Sequence, residues 1–300
     1  MARVVIIGCG NVGMSFAYQA VTQRNKISEL VLIDIDRDKA CGEAQDLKHA
    51  AVYNKNNVRI LPGKYSDCAR ADIIVIAAGE VQGGKQTRAA LVKKNAKMIQ
   101  SIVDKVSETA FNGVYLVVTN PVDVMSHLVK EHSKLPYEKV IGSGTTLDTA
   151  RLRYHISKEI GIDPRNIHAY VLGEHGDSAF VPWSCCVIGL NRAEVKLTEE
   201  QRSRILYHMR TDAYDIINKK GSTYYGIGVC MLDIVDAILE DAKSIKTVSS
   251  YCKSHDVYMG QPTILGNKGI ERVIAINLPD DEAMAMEKSA EAIRKMMRQI

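Results

Sequence analysis

Three hundred residues, 46% of them hydrophobic and 25% charged, are enough for two domains or one large one. A formal charge of +4 at a pI near 8.5 is too small and too dispersed to build a nucleic-acid groove or a polybasic membrane patch. The longest apolar stretch, 73–79, sits between Asp72 and Glu80 and falls far short of the roughly 20 residues that a membrane helix needs.

In chain order, Met1 leads directly into the apolar run 4–7 with no charged leader and no cleavage site, so a cytoplasmic protein is expected. Short β-branched runs at 4–7, 30–33, 58–61, 73–77, 114–118 and 139–141 alternate with helical stretches at 12–24, 37–50, 87–109 and 121–131. That rhythm is the βαβ signature, and strands apolar throughout belong to a parallel sheet covered on both faces. After Ser143 longer helices and short strands follow (170–172, 185–188, 245–251 and 273–276), a pattern closer to α+β. The predicted fold class is therefore α/β, an N-terminal Rossmann-type parallel sheet (1–142) followed by an α+β substrate domain (143–300), with a cleft between them. In the last helix, 280–300, a stripe of Met286, Ala290, Ile293, Met297 and Ile300 is expected to pack on the body. Seven cysteines without a C-x-x-C and eight histidines without an H-E-x-x-H predict reduced thiols and no metal site.

Gly8-Cys9-Gly10-Asn11-Val12-Gly13 is a G-x-G-x-x-G that follows the first strand and opens a helix, and the second strand ends at Asp34, 21 residues after Gly13. The glycines suit a tight turn with a pyrophosphate on the helix N-terminus, and Asp34 suits the adenosine ribose hydroxyls, favouring NAD over NADP. At 79–88 a polar, glycine-containing segment must emerge at the carboxyl edge of the sheet, where ligands bind, and it has the character of a lid ending in Arg88. Asn120, after the next strand, emerges on the same edge and suits contact with nicotinamide or substrate. Asp148 and Arg151 stand three apart on one helix face: either an ordinary surface ion pair, or an orienter for a histidine beside a fork for a carboxylate. Gly173-Glu174-His175-Gly176-Asp177 places a histidine between glycines, as a structural residue or as a proton shuttle that substrate can approach.

Taken together, these motifs, with Thr119-Asn120-Pro121-Val122-Asp123 and the Gly221-Ser222-Thr223 stretch, resemble the L-lactate/malate dehydrogenase family, in the family's order and over nearly the whole chain. The resemblance is to its bacterial, NAD-dependent L-lactate side. It implies that His175 exchanges a proton with the substrate oxygen, that Asp148 stabilises the imidazolium, that Arg151 clamps a carboxylate, and that Arg88 and Asn120 polarise and orient the carbonyl. It further implies that Gly79 lies in the cofactor site, that Thr223 lines the substrate pocket and that Ile227 packs against the nicotinamide. Where malate-type members resemble one another in carrying an arginine, this chain has Gln82, which cannot neutralise a second carboxylate; pyruvate/lactate is the expected pair. Gly83-Gly84-Lys85-Gln86 departs from the usual lactate-type loop, leaving a larger 2-oxo acid, as in L-2-hydroxyisocaproate dehydrogenases, as the alternative, with a non-catalytic NAD-binding relative behind it. Arg153 and His168 match an effector site for fructose bisphosphate at a subunit interface, and a homotetramer or dimer is implied. The start at the first strand, without the N-terminal arm of vertebrate members, implies a weaker and more effector-dependent tetramer.

Overall fold

The computed structural model describes residues 2–53, 57–80 and 88–300. The apolar runs of the first half form β1 (Ala2–Ile7), β2 (Ile27–Ile33), β3 (Arg59–Pro62), β4 (Ile73–Ile76), β5 (Val114–Val117) and β6 (Val140–Gly142), all parallel, in the spatial order β3-β2-β1-β4-β5-β6. Successive side chains of a strand point to opposite faces, and both faces here are dry. Val4, Ile6, Leu30, Leu32, Ile73 and Val75 join α1 (Asn11–Thr22) and α2 (Arg37–Ala51) in one core. Val5, Ile7, Val31, Ile33, Ile74 and Ile76 join α3 (Arg88–Ser107) and α4 (Val122–Ser133) in a second. This two-sided burial is why the strands carry no polar alternation.

After β6 come α5 (Thr146–Ile160), a small antiparallel sheet of β7 (Ile167–His168), β8 (Val187–Ile188) and β9 (Asn191–Arg192), the short α6 (Ala193–Lys196), and the long α7 (Glu199–Lys220) and α8 (Tyr225–Leu239). An antiparallel meander of β10 (Ser244–Cys252), β11 (Val257–Gly266) and β12 (Gly269–Val273) then adds to the edge of the parallel sheet, Ser249 of β10 standing opposite Gly142 of β6. The result is one nine-stranded sheet, β12-β11-β10-β6-β5-β4-β1-β2-β3, shared by both halves of the chain. A third core, around Leu152, Ile156, Val171 and Ile188, lies under α7.

The second half departs from its sequence reading in three places. Residues 170–172 are not a strand: the N–H of Val171 donates to Thr149 Oγ1 (2.9 Å) and its carbonyl accepts from Thr145 Oγ1 (2.5 Å), so hydroxyls of α5 and its cap replace a ladder. Of 185–188 only 187–188 is strand, since a 3-10 turn occupies Trp183–Cys185. The third strand of the meander ends at Val273, and β11, whose Gly260 and Pro262 hide its strand character, was not expected. The last helix, α9 (Asp280–Met297), buries Met286, Ala290 and Ile293 as expected, but Ser289 and Met296 complete its buried face, and Ile300 lies beyond the helix, 47% exposed.

Candidate active site

The strand order reverses between β1 and β4, which makes a crevice at their carboxyl ends. Gly8 closes β1 there with φ +107°, and a Cβ on it would lie 2.4 Å from the backbone nitrogen of Ala78; a Cβ on Gly13 would lie 2.1 Å from the carbonyl oxygen of Gly8. Both glycines are thus demanded by the turn itself. Gly10 differs: a Cβ there would meet nothing within 4 Å, and as N-cap of α1 it supplies no side-chain acceptor. The first N–H groups of α1, from Asn11, Val12 and Gly13, have no intrahelical acceptor and form the positive end of the helix, as a pyrophosphate requires. Asp34, at the end of β2, accepts the N–H of Cys9 on Oδ2 (2.7 Å) and that of Asp36 on Oδ1 (3.0 Å), which holds its carboxylate beside the same turn. This chain's residues therefore fit a dinucleotide with free ribose hydroxyls.

Along the same edge, Asn95 of α3, fully buried, accepts the N–H of Glu80 (2.9 Å) and donates to the carbonyl of Asn120 (2.8 Å). Thr119 Oγ1 donates to the carbonyl of Ala78 (2.6 Å). The turns after β4 and β5, carrying exposed Gly79 and Asn120, are thereby fixed to one another. Gln82 and the glycine pair 83–84 lie outside the described residues; Arg88 begins α3.

Across the crevice, the chain turns from β6 into α5 at Gly144 (φ +54°), where a Cβ would lie 2.2 Å from the backbone nitrogen of Ser249. This close approach seats α5 on β10 and puts Asp148 and Arg151 on the cleft side. Asp148 Oδ2 lies 2.6 Å from His175 Nδ1, and its Oδ1 accepts from Arg151 Nη1 at 2.9 Å. One carboxylate thus bridges both partners, pairing with Arg151 and holding the ring of His175. The His175 side chain is 25% exposed, with Asp148 and Arg151 half as much. The backbone of His175 is pinned as well: its N–H donates to Asp123 Oδ2 (2.8 Å), while Asp123 Oδ1 accepts from Ser249 Oγ (2.5 Å).

The electrostatics follow from this geometry. The carboxylate of Asp148 raises the pKa of His175 above its ordinary value, against the opposing effect of burial. Burial pushes Asp148 up, but the charges and hydrogen bonds of His175 and Arg151 more than offset it and leave Asp148 lowered and ionised. Asp123, enclosed in α4, is pushed up to about 6 by burial, in spite of its bonds from Ser249 and from the His175 N–H. The arrangement is an imidazole held by Nδ1, with Nε2 left for a ligand and a guanidinium alongside, which is what a reversible proton donor to a carboxylate-bearing carbonyl compound requires.

The remaining predicted residues are placed as follows. Thr223, half-buried, follows Ser222, whose hydroxyl accepts from Asn11 Nδ2 (3.2 Å) and so links the nucleotide turn to the second half. Ile227, in the first turn of α8, packs against the first core. Arg153 donates from Nε to the carbonyl of Ala169 (3.0 Å), the residue after exposed His168, and lies over the ring of Tyr170. Sequence reasoning assigned no role to Asn95, Asp123 or Ser249. The available signal was a lone carboxylate or amide within an apolar helical face, as in Val122-Asp123-Val124-Met125.

Known proteins share the sequence pattern and the fold of this chain. The family model described as lactate/malate dehydrogenase, NAD binding domain matches residues 2–142, and that described as lactate/malate dehydrogenase, alpha/beta C-terminal domain matches 145–300. L-lactate dehydrogenase 1 of Bacillus cereus is 41% identical over 305 aligned positions, which cover 98% of this chain and 97% of the relative. Among solved structures, a lactate dehydrogenase from a Medee basin deep-sea metagenome library superposes with a TM-score of 0.96 at 41% identity, covering 99% of this chain and 98% of the other. The minor L-lactate dehydrogenase of Enterococcus mundtii, in its ligands-bound form, gives 0.96 at 36% identity, covering 100% and 98%.

Proposed function

The chain belongs to the lactate/malate dehydrogenase family, and from that premise we propose the following reading of its chemistry. It is an NAD-dependent L-lactate dehydrogenase, interconverting pyruvate and L-lactate. The observation that carries this is the bridged constellation His175–Asp148–Arg151 at the mouth of a dinucleotide crevice. The bound cofactor supplies or accepts the hydride at the substrate's C2.

The side chains do the rest. Arg151 spends one of its five N–H donors on Asp148 and presents others to the substrate carboxylate. His175, protonated on Nε2, donates to the keto oxygen as charge develops there, and takes the proton back in the reverse direction. Asp148 keeps Nδ1 protonated and stabilises the imidazolium, while Asp123 fixes where the ring stands. Asn120 and Arg88 orient and polarise the carbonyl, and Thr223 lines the pocket. Gly8, Gly10, Asn11, Val12, Gly13, Asp34, Gly79 and Ile227 hold NAD, with Asp34 on the ribose. Gln82 rejects a second carboxylate, since a neutral amide leaves that charge unpaired at a cost of several kcal/mol. A non-catalytic role is disfavoured by the intact proton-transfer geometry, and the larger-acid alternative by relatives that are L-lactate dehydrogenases.

The division into a cofactor domain, 1–142, and a substrate domain, 143–300, is part of this reading, with the cleft at the turn from β6 into α5. So are a cytoplasmic location and assembly as a homodimer or homotetramer. The location goes with the observation that, among the described residues, no helix is long and apolar enough to cross a membrane. Fructose bisphosphate between Arg153 and His168 is supported by the bond from Arg153 Nε to the carbonyl of Ala169, the residue next to exposed His168. The test is NADH oxidation with pyruvate, 2-oxoisocaproate and oxaloacetate, each with and without fructose bisphosphate, alongside sedimentation. Pyruvate is expected to give the highest kcat/KM, and the bisphosphate to raise both activity and assembly. Oxaloacetate in first place overturns the role of Gln82, and indifference to the bisphosphate removes the effector site.

A further inference from the structure

Away from the cleft, the turn joining β10 to β11 carries a second set of reactive groups in hydrogen-bond contact. Cys252 Sγ lies 3.3 Å from His255 Nδ1, and the Ser254 hydroxyl lies 2.8 Å from the same ring nitrogen. On the far side of the ring, His255 Nε2 stands 3.3 Å from Glu287 Oε2 of α9. Arg294, also on α9, fastens both: its Nη1 donates to the His255 carbonyl (2.9 Å) and its Nη2 pairs with Glu287. Thiol, imidazole and carboxylate thus stand in the sequence that removes a proton from sulfur, with the base beside the nucleophile and the orienting anion behind the base. With Glu287 accepting from Nε2–H, Nδ1 is the nitrogen left to take the proton.

Cys252, Ser254 and His255 line a cavity of about 1110 Å³ between the β10–β12 meander and the start of α9. Two exposed cations, Lys253 and Arg272, and two exposed carboxylates, Glu138 and Glu271, also line it, so its polar rim carries no net charge. Cys252, itself buried, is the one thiol among the described residues that lines this cavity. Burial pushes Cys9, Cys68, Cys186 and Cys230 up to about 12, which makes them inert, and Cys41 is exposed.

We propose that Cys252 is a thiol-modification site that undergoes exchange with small disulfides entering this cavity. His255 Nδ1 takes the Sγ proton and the thiolate attacks one sulfur of the disulfide. A bond from Cys252 to that sulfur forms as the reagent's S–S bond breaks, and the departing thiolate takes up the proton. Cys252 is oxidised to a mixed disulfide, one half of the reagent is reduced to a free thiol, and no other oxidant is needed.

The test labels the full-length protein, in a Cys41→Ser background, with dithiobis-nitrobenzoate, following the coloured thiolate released and locating the label by mass spectrometry. The expected result is one fast phase assigned to Cys252, ahead of half-buried Cys185. His255→Gln is expected to slow that phase by roughly tenfold or more and Glu287→Gln by a smaller factor, both with unchanged dehydrogenase activity. Cys252→Ser abolishes it. A fast phase on another cysteine, or labelling of His255→Gln at the parent rate, overturns the proposal.

Discussion

Helix α5 contributes to two histidine–aspartate pairs of nearly equal length. Near its start Asp148 holds His175 Nδ1 at 2.6 Å, and two turns on, His155 Nε2 holds Asp212 of α7 at 2.7 Å. The exposure of the two imidazoles, 25% and 15%, does not separate them. Their surroundings do. The second oxygen of Asp148 binds Arg151, the backbone of His175 is pinned by buried Asp123, and the ring stands at a crevice with a helix N-terminus across it. His155 instead stacks on His208 at 5.4 Å between centroids, beside Lys158 and Arg204 on the outer face of two helices. A histidine–carboxylate pair is thus a local orienting device, and chemistry arises only where its remaining nitrogen meets a substrate-binding cation and a cofactor site.

The largest test of that contrast replaces each imidazole in turn. His175→Asn is expected to lower kcat for pyruvate reduction by roughly 10²–10⁴-fold with NADH binding retained, the usual range for a lost general acid. His155→Asn is expected to stay within about twofold, as surface substitutions do. A comparable loss in both breaks the comparison.

Next in size is Asp148→Asn against Asp212→Asn. Removing the charge that raises His175 lowers its pKa, and reduction needs the protonated ring. The alkaline limb of kcat/KM for reduction therefore moves to lower pH in Asp148→Asn, with a loss of about 10–100-fold, and stays in place in Asp212→Asn. The stability linkage has the matching sign: what the raised His175 pKa contributes is fully present below the ordinary value of 6.5, is lost as pH rises through the raised value, and disappears in Asp148→Asn. A pH profile unmoved by Asp148→Asn removes the electrostatic role.

The smallest effect concerns Asp123, which has no counterpart behind His155. Asp123→Ala leaves the His175 N–H without its acceptor and is expected to lower kcat about tenfold, whereas Asp123→Asn accepts that N–H, donates to Ser249 Oγ and stays within about twofold. Denaturant titrations check the linkage. The folded state holds the Asp123 proton up to about 6 and the unfolded chain only to 3.8, so stability falls as pH rises through that window and the slope is lost in Asp123→Asn. Equal activities of the two variants show that the bond to His175 does not position the ring.

Legibility in the sequence followed the range of the forces involved. The inner parallel strands were readable because burial on both faces leaves continuous apolar runs, and the nucleotide turn because its glycines are required locally: Gly8 by its positive φ and Gly13 by contact with Gly8. The residue pair Asp148 and Arg151 was visible as an i,i+3 spacing, but spacing left two readings open. Strand β11 was missed because Gly260 and Pro262 weaken its local signal, and what makes it a strand is pairing with β10 on one side and β12 on the other. Likewise 170–172 has strand composition, and hydroxyls contributed by Thr145 and Thr149 took its hydrogen bonds.

By itself, then, the sequence determined the βαβ order, the dinucleotide turn with Asp34, and the identity of the residues able to move a proton and bind a carboxylate, since each depends on chain neighbours and on side-chain chemistry. The tertiary structure decided how they meet. That Asp148 holds His175 as well as its helix neighbour Arg151, that Asp123 of α4 reaches the backbone of His175 and Ser249 of β10, and that Asn95 joins the turns after β4 and β5 rest, apart from the i,i+3 bond to Arg151, on contacts between residues 15 to 126 positions apart. Hydrogen bonds act over about 3 Å, so such contacts exist only once the sheet and the close seating of Gly144 on β10 have brought those elements together.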